Sequence, residues 1–392
     1  MNMNFQNKIM KYLKLSILAL LFVNAINAQK IEKINVSGGK TLGNHEILIY
    51  TPVEYADLNR KFEVIYVLDA QSREFFDVVH STLAFQTYGI RPMIVVGISS
   101  LNRNYDFLPE NKFTETAQEL SGQLGGASIF SDYIEQKLMP FIEKKYRVLP
   151  FKIGIGYSNG GTFLNNNLLT KPTMFDAIFS IDANITFDRG QLINSLNDNN
   201  NLIKSTMYYY TCQTLSGDKW VESANRFNAL LESKIGMTIE KEVFKSETHQ
   251  TVFQQAIINA FQRYFKYQFF NSEKLVNHFK SMEKLGGYVV KKEELHRIAS
   301  IYLQFNLVEE ARKLMLAFEH VLDSSIQDSD DLFAIFETGK LYFALGFRDI
   351  AKAYFIFCDA KIEQNKKNMS SEFYNFGKEK IKEQLNLFEN SK

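Results

Sequence analysis

Lys152-Ile153-Gly154-Ile155-Gly156-Tyr157-Ser158-Asn159-Gly160-Gly161 decides how this chain is read. An apolar strand runs straight into Gly-x-Ser-x-Gly, the pattern of a turn that lifts a serine hydroxyl out of a sheet. Such a turn also aims the following backbone N–H groups at the substrate. It is so tight that the residues two before and two after the serine must carry almost no side chain. By composition alone the pattern is weak: with Gly and Ser each near roughly 7% of residues, about one chain of this length in ten carries it by chance. The setting gives it weight. Residues 151–155 read as a strand and 162–170 as a helix, the order the turn requires.

Two other glycine loops fail on inspection. A dinucleotide fingerprint starting at Gly154 and Gly156 needs a third glycine where Asn159 stands. Gly39-Lys40-Thr41 mimics the end of a phosphate loop, but the opening glycine falls on Ile34.

Outward from the serine, residues 31–270 alternate strands with helices, the signature of a mainly parallel sheet covered on both faces. Strands are expected at 31–36, 46–51, 62–68, 93–98, 152–157, 177–181, 207–212 and 238–244. Gly43-Asn44 predicts an antiparallel hairpin between the first two. Helices are expected at 76–87, 129–144, 162–169, 219–232 and 252–265. Residues 99–128 lack clear periodicity and read as a long loop over the carboxyl edge of the sheet, where such folds bind ligands. Eight strands with the serine turn after the fifth is the order of an α/β-hydrolase, so the fold class expected is α/β.

A serine hydroxyl needs a base within hydrogen-bond reach, and in this fold the order is serine, acid, histidine. His45 and His80 precede Ser158, while His278, His296 and His320 fall in a helical tail. His249 alone follows Ser158 within the α/β region, between the eighth strand and the last helix. The acid is expected after the seventh strand, which points to Asp218, with Glu222 one helical turn later; Asp218 is also an ordinary helix N-cap. The oxyanion hole requires two N–H groups. One is expected from Asn159 and the other from the loop after the third strand, at Gln71 or Ala70.

Several stretches together resemble the "putative esterase" family. They are Ile65-Tyr66-Val67-Leu68-Asp69-Ala70, Ile94-Val95-Val96-Gly97-Ile98, residues 103–109, 156–161 and His249-Gln250-Thr251-Val252. That family includes enterochelin, feruloyl and acetylxylan esterases, S-formylglutathione hydrolase and mycolyltransferases. The resemblance covers about residues 31–270 and implies a nucleophile at Ser158 and a base at His249. The chain departs from the family at Ala70, where glycine is frequent, at Tyr105, where arginine is frequent, and at Thr211-Cys212-Gln213-Thr214, where a glutamate-bearing turn is expected.

The remainder bounds the setting. A hydrophobic fraction of 45% and a charged fraction of 23% suit a globular protein with a full core. A net charge of +1 gives no reason to expect nucleic acid as a partner. Lys8, Lys11 and Lys14, the apolar run 15–23 and Ala25-Ile26-Asn27-Ala28 read as a secretory signal ending at residue 28. The run is too short to span a bilayer core of about 30 Å, so a periplasmic or secreted protein without a membrane span is expected. Cys212 and Cys358 fall in different modules and read as core thiols. The scattered histidines offer no metal-ligand spacing, and neither a metal nor a cofactor is expected.

After about residue 271 the strand signal stops. Residues 301–311 align with 341–351 at an offset of 40, pairing Tyr302 with Tyr342 and Ala311 with Ala351. This resembles the tetratricopeptide helix–turn–helix unit, stretched beyond its usual length of about 34 by an insert near 324–331. Two such units do not stand alone, so the tail is expected to dock on the first domain or to form a homodimer or protein-partner contact. The organisation expected is a signal at 1–28, an esterase domain at 29–270 and helical repeats at 271–392. The function expected is an exported serine esterase acting on a small-molecule or glycan ester. The rival is an inactive hydrolase-fold scaffold acting through its helical repeats.

Overall fold

A computed structural model of the chain describes residues 30–39, 43–58, 60–86, 92–120, 123–198, 206–234, 237–268, 270–285, 289–322 and 331–389. The expected signal segment lies outside them. The chain divides into two compact units, Met1–Tyr264 and Phe265–Lys392.

The first unit is built on an eight-stranded sheet in the order β1-β2-β4-β3-β5-β6-β7-β8. Its strands are β1 (Lys30–Ser37), β2 (Asn44–Thr51), β3 (Phe62–Leu68), β4 (Ile94–Ile98), β5 (Val148–Tyr157), β6 (Ala177–Ile181), β7 (Tyr208–Thr214) and β8 (Thr238–Phe244). β2 pairs antiparallel with both β1 and β4, and from β4 onward every pairing is parallel. The central strands β3, β4 and β6 are buried along their whole length and are mostly apolar, broken only by Glu63 and Ser180. β1, at the edge, is mostly exposed.

The helices of this unit are α1 (Arg73–Gln86), α2 (Arg103–Phe107), α3 (Thr114–Glu119), α4 (Ala127–Tyr133), α5 (Met139–Lys145), α6 (Asn159–Thr170), α7 (Phe187–Asp198), α8 (Asp218–Lys234) and α9 (Val252–Gln268). A π-helical turn at Ile134–Leu138 joins α4 to α5, which makes one helical run of the segment expected at 129–144. The supposed loop at 99–128 contains two short helices, α2 and α3. They are too short to show a 3.6-residue period. α7 was not expected either, and its first turn is left-handed at Asp188 (φ 50°), Arg189 (φ 57°) and Gly190 (φ 76°). The sheet is covered by an apolar core drawn from β2 to β6 and from α4, α6 and α7.

The second unit is helical among the described residues: α10 (Ser272–Leu285), α11 (Lys292–Gln304), α12 (Val308–Ala317), α13 (Glu319–Leu322), α14 (Leu332–Ala344), α15 (Arg348–Gln364) and α16 (Ser371–Glu389). Two helix hairpins, α11–α12 and α14–α15, repeat each other. Each turns on a left-handed residue, Asn306 (φ 58°) or Gly346 (φ 81°). Leu307 N–H then returns to Tyr302 O at 2.8 Å, and Phe347 N–H returns to Tyr342 O at 2.9 Å. These are the same helix-ending hydrogen bonds, 40 residues apart. The expected insert falls largely at 323–330, outside the described residues.

Candidate active site

β5 delivers Ser158 into a sharp turn at the carboxyl edge of the sheet. The serine adopts φ 55° and ψ −118°, a backbone region that L-residues avoid and that such turns impose. The glycines explain how the chain passes. A Cβ on Gly156 would run into the carbonyl of Gly160, and one on Gly161 would lie 2.8 Å from the Ala183 Cβ. At Gly160 the nearest atom would be 3.4 Å away, an ordinary contact. The second tight position is therefore Gly161 rather than Gly160, the last glycine of the motif.

His249, in the turn ahead of α9, reaches both ways. Its Nε2 lies 3.0 Å from the Ser158 Oγ, and its Nδ1 lies 2.8 Å from Asp182 Oδ2. The ring stacks on Tyr157 at 4.8 Å between centroids, and Trp220 meets it edge-on at 5.3 Å. The Tyr157 hydroxyl donates to the His249 carbonyl, which ties the histidine turn to the end of β5.

The carboxylate on His249 is thus Asp182, at the end of β6, and not Asp218 as expected. Asp218 opens α8 and makes no hydrogen bond or ion pair to His249. Glu222 lies one turn further along α8 and lines a separate cleft. Asp182 is fully buried and receives three further hydrogen bonds. Thr214 N–H and Trp220 Nε1–H donate to Oδ1, each at 3.0 Å, and the Thr214 hydroxyl donates to Oδ2 at 2.9 Å. Burial alone would raise its pKa, but the hydrogen bonds from His249, Thr214 and Trp220 outweigh this and hold it below the usual value. β7 therefore supports the acid through Thr214 instead of carrying it. The sequence signal available was an aspartate directly after a short, mostly apolar strand, Ala177–Ile181.

The second loop of the site follows β3, the neighbour of β5. Asp69 takes a left-handed φ of 65° and starts a tight turn. Of the two N–H candidates there, Ala70 is committed to Ile98 O at 3.1 Å, whereas Gln71 N–H meets no protein acceptor among the described residues. The Gln71 side chain is pinned, donating to Asp69 Oδ1 and accepting from Ser100 N–H, both at 2.8 Å. Arg103 clamps the buried Asp69 carboxylate with Nε at 2.7 Å and Nη2 at 3.0 Å, and Nη2 also donates to Tyr157 O at 3.0 Å. The opening of α6 leaves Asn159 N–H free among the described residues, as the first N–H groups of a helix are. The Asn159 side chain is held between Asn104 at 3.1 Å and Asn184 at 3.2 Å. Two unspent N–H groups thus stand on adjacent strand ends beside a serine already hydrogen-bonded to a base.

Among the described residues no His, Cys, Asp and Glu side chains gather as a metal site, and no helix is long and apolar enough to cross a membrane. Cys212 and Cys358 are free, buried thiols, as expected.

Fold and site together define an α/β-hydrolase whose serine, histidine and aspartate are hydrogen-bonded in series. The family model described as "Putative esterase" matches residues 40–260, more than half of the chain, and the chain belongs to that family. Ferri-bacillibactin esterase BesA of Bacillus subtilis (strain 168) is 30% identical over 145 residues, covering 33% of this chain and 50% of the relative. YbbA of the same organism is 28% identical over 151 residues, covering 37% of this chain and 59% of the relative. These matches span only about half the length of the two curated relatives. An IroE-like serine hydrolase from Shewanella oneidensis superposes with a TM-score of 0.61 at 20% identity, over 74% of this chain and 99% of that one. A protein from Capnocytophaga ochracea superposes at 0.54 and 18% identity, over 84% and 94%. The two structures share the fold.

Proposed function

We propose that the protein is an exported serine esterase that hydrolyses carboxylic esters through Ser158, His249 and Asp182. One observation carries the proposal: a single imidazole hydrogen-bonds Ser158 with one nitrogen and a buried, ionised carboxylate with the other. With Nδ1–H given to Asp182, Nε2 is left as the basic nitrogen facing the hydroxyl. Ser158 Oγ attacks the ester carbonyl as His249 takes its proton. Charge then gathers on the carbonyl oxygen, where Asn159 and Gln71 N–H groups stabilise it. The imidazolium returns its proton to the leaving alcohol, and Asp182 stabilises that cation without being protonated. Water, activated by the same His249, resolves the acyl-enzyme to acid and free Ser158.

The substrate we favour is a siderophore lactone. Its support is the likeness to ferri-bacillibactin esterase, and a polysaccharide-linked acyl ester is the alternative. Labelling with a fluorophosphonate tests the nucleophile, since it captures only an activated serine. Ser158→Ala is expected to abolish labelling and to cut hydrolysis of para-nitrophenyl acetate by roughly 10⁴-fold. Equal turnover by variant and wild type would remove Ser158 from the chemistry and leave the fold as a scaffold. Hydrolysis of ferri-bacillibactin against an acetylated xylan decides between the substrate classes.

A further inference from the structure

Beside Asp182 the carboxyl edge of the sheet opens into a cleft of about 230 Å³, between the left-handed turn at the start of α7 and the first two turns of α8. Three cationic side chains line it, Arg189, Lys219 and Arg226, against one carboxylate, Glu222. Its lining residues connect to the proposed reacting groups through two short chains of neighbours. Thr186, on its wall, donates to Asn184, which in turn donates to Asn159 at the oxyanion position. Lys219 precedes Trp220, whose indole N–H holds Asp182.

The cations are placed rather than scattered. Lys219 and Arg226 are seven residues apart, on one face of α8 as helical periodicity requires, and neither forms an ion pair among the described residues. Arg189 lies over the Phe113 ring at 4.0 Å and 3.6 Å from Glu115. Its position depends on an unfavourable backbone, φ 57° between Asp188 at 50° and Gly190 at 76°. The buried Asp188 carboxylate holds that turn, accepting from Lys112 N–H at 2.6 Å, Phe113 N–H at 3.1 Å and the Thr116 hydroxyl at 2.7 Å. Strained left-handed residues persist where surrounding structure imposes them, and they concentrate at ligand sites. The positive end of the α8 dipole adds to the same field.

We infer that this cleft is a substrate subsite for a negatively charged group, a carboxylate or comparable oxygen anion, on the ester that Ser158 attacks. The inference rests on the esterase proposal above and narrows it: the preferred ester is anionic. With Glu115 counted against Arg189, the cleft keeps a net excess of one positive charge, which raises the local concentration of such an ester and orients it, and salt screens the effect.

The experiment uses the full chain and two matched ester pairs, so that either side of the scissile bond can carry the charge. On the acyl side, the para-nitrophenyl monoester of adipic acid is compared with para-nitrophenyl hexanoate. On the alcohol side, meta-carboxyphenyl acetate is compared with meta-carbamoylphenyl acetate. The readout is the anionic-to-neutral ratio of kcat/KM in each pair. For Lys219→Met/Arg226→Met that ratio is expected to fall about tenfold in one pair, and the wild-type ratio in that pair to fall with added salt. Glu222→Gln is expected to raise it. Ratios unchanged within about twofold in both pairs, or salt-independent, overturn the subsite while leaving the esterase standing. No turnover of any of the four esters, together with no fluorophosphonate labelling, overturns the esterase proposal itself and the subsite with it.

Discussion

At the scale of single residues, the site turns on which carboxylate serves His249. Asp182→Asn places an amide against Nδ1 and favours the tautomer in which Nε2 carries the proton, so turnover is expected to fall by about 10²–10⁴-fold. Asp218→Asn is expected to cost no more than a few-fold, since Asp218 only opens α8. The reverse ranking in para-nitrophenyl acetate assays would return the acid role to Asp218. The two variants also differ in how their stability responds to pH. The folded pKa of Asp182 lies below its unfolded value, so its contribution is fully present above about pH 4 and is lost as pH falls through the folded value. The Tm gap between wild type and Asp182→Asn is expected to shrink as pH falls below about 4. A gap that persists to about pH 2 overturns that account. Ser158 and His249, which the structure brings within 3.0 Å of each other, could be nominated from the sequence because glycines mark the one and elimination isolates the other. Asp182 was not, because a lone aspartate after a strand also reads as an ordinary turn residue and its partner Thr214 lies on a different strand.

At the scale of elements, the turn after β5 and the loop after β3 are each held by something the sequence shows only in part. All eight strands were readable, since the central parallel strands are short, mostly apolar runs. The bracing was not, because it joins residues far apart in the chain. Arg103 and Asp69 are an example. Arg103→Met leaves a buried carboxylate without its cation and is expected to cost about 3–5 kcal/mol of stability. Adding Asp69→Asn is expected to recover part of that loss, and purely additive losses by denaturant titration would dissolve the pair. The turn itself separates its glycines. Gly156→Ala forces a Cβ onto the Gly160 carbonyl and is expected to cost about 1–3 kcal/mol and most of the activity. Gly160→Ala has ordinary clearance and is expected to cost less than about 1 kcal/mol. Equal costs by thermal melting would mean that the turn relaxes and that the motif glycines are interchangeable.

At the scale of the whole molecule, the chain divides into two compact units. The groups to which we assign the chemistry, Ser158, Asp182, His249, Asn159 and Gln71, all belong to Met1–Tyr264. The helical unit has aromatic packing of its own, with Phe279 against Phe318 at 5.8 Å and Tyr342 against Tyr354 at 5.4 Å. Its repeat was legible as a 40-residue self-similarity because both hairpins reuse one turn and one tyrosine. No partner was legible there, since exposed Phe333, Phe373 and Phe376 name no ligand. If the units are separate folding cores, damage to one should spare the other. Gly339, on α14, sits where a Cβ would come within 2.8 Å of the Phe355 ring on α15, so a larger side chain must push the two helices apart. Gly339→Leu is expected to lose about 1–3 kcal/mol from the helical unit, read as an earlier transition in far-ultraviolet circular dichroism. Labelling of Ser158 by a fluorophosphonate should proceed at the wild-type rate below that transition. Labelling that falls in step with the helical signal, while the β-sheet signal persists, would show that the second unit helps to build the active site.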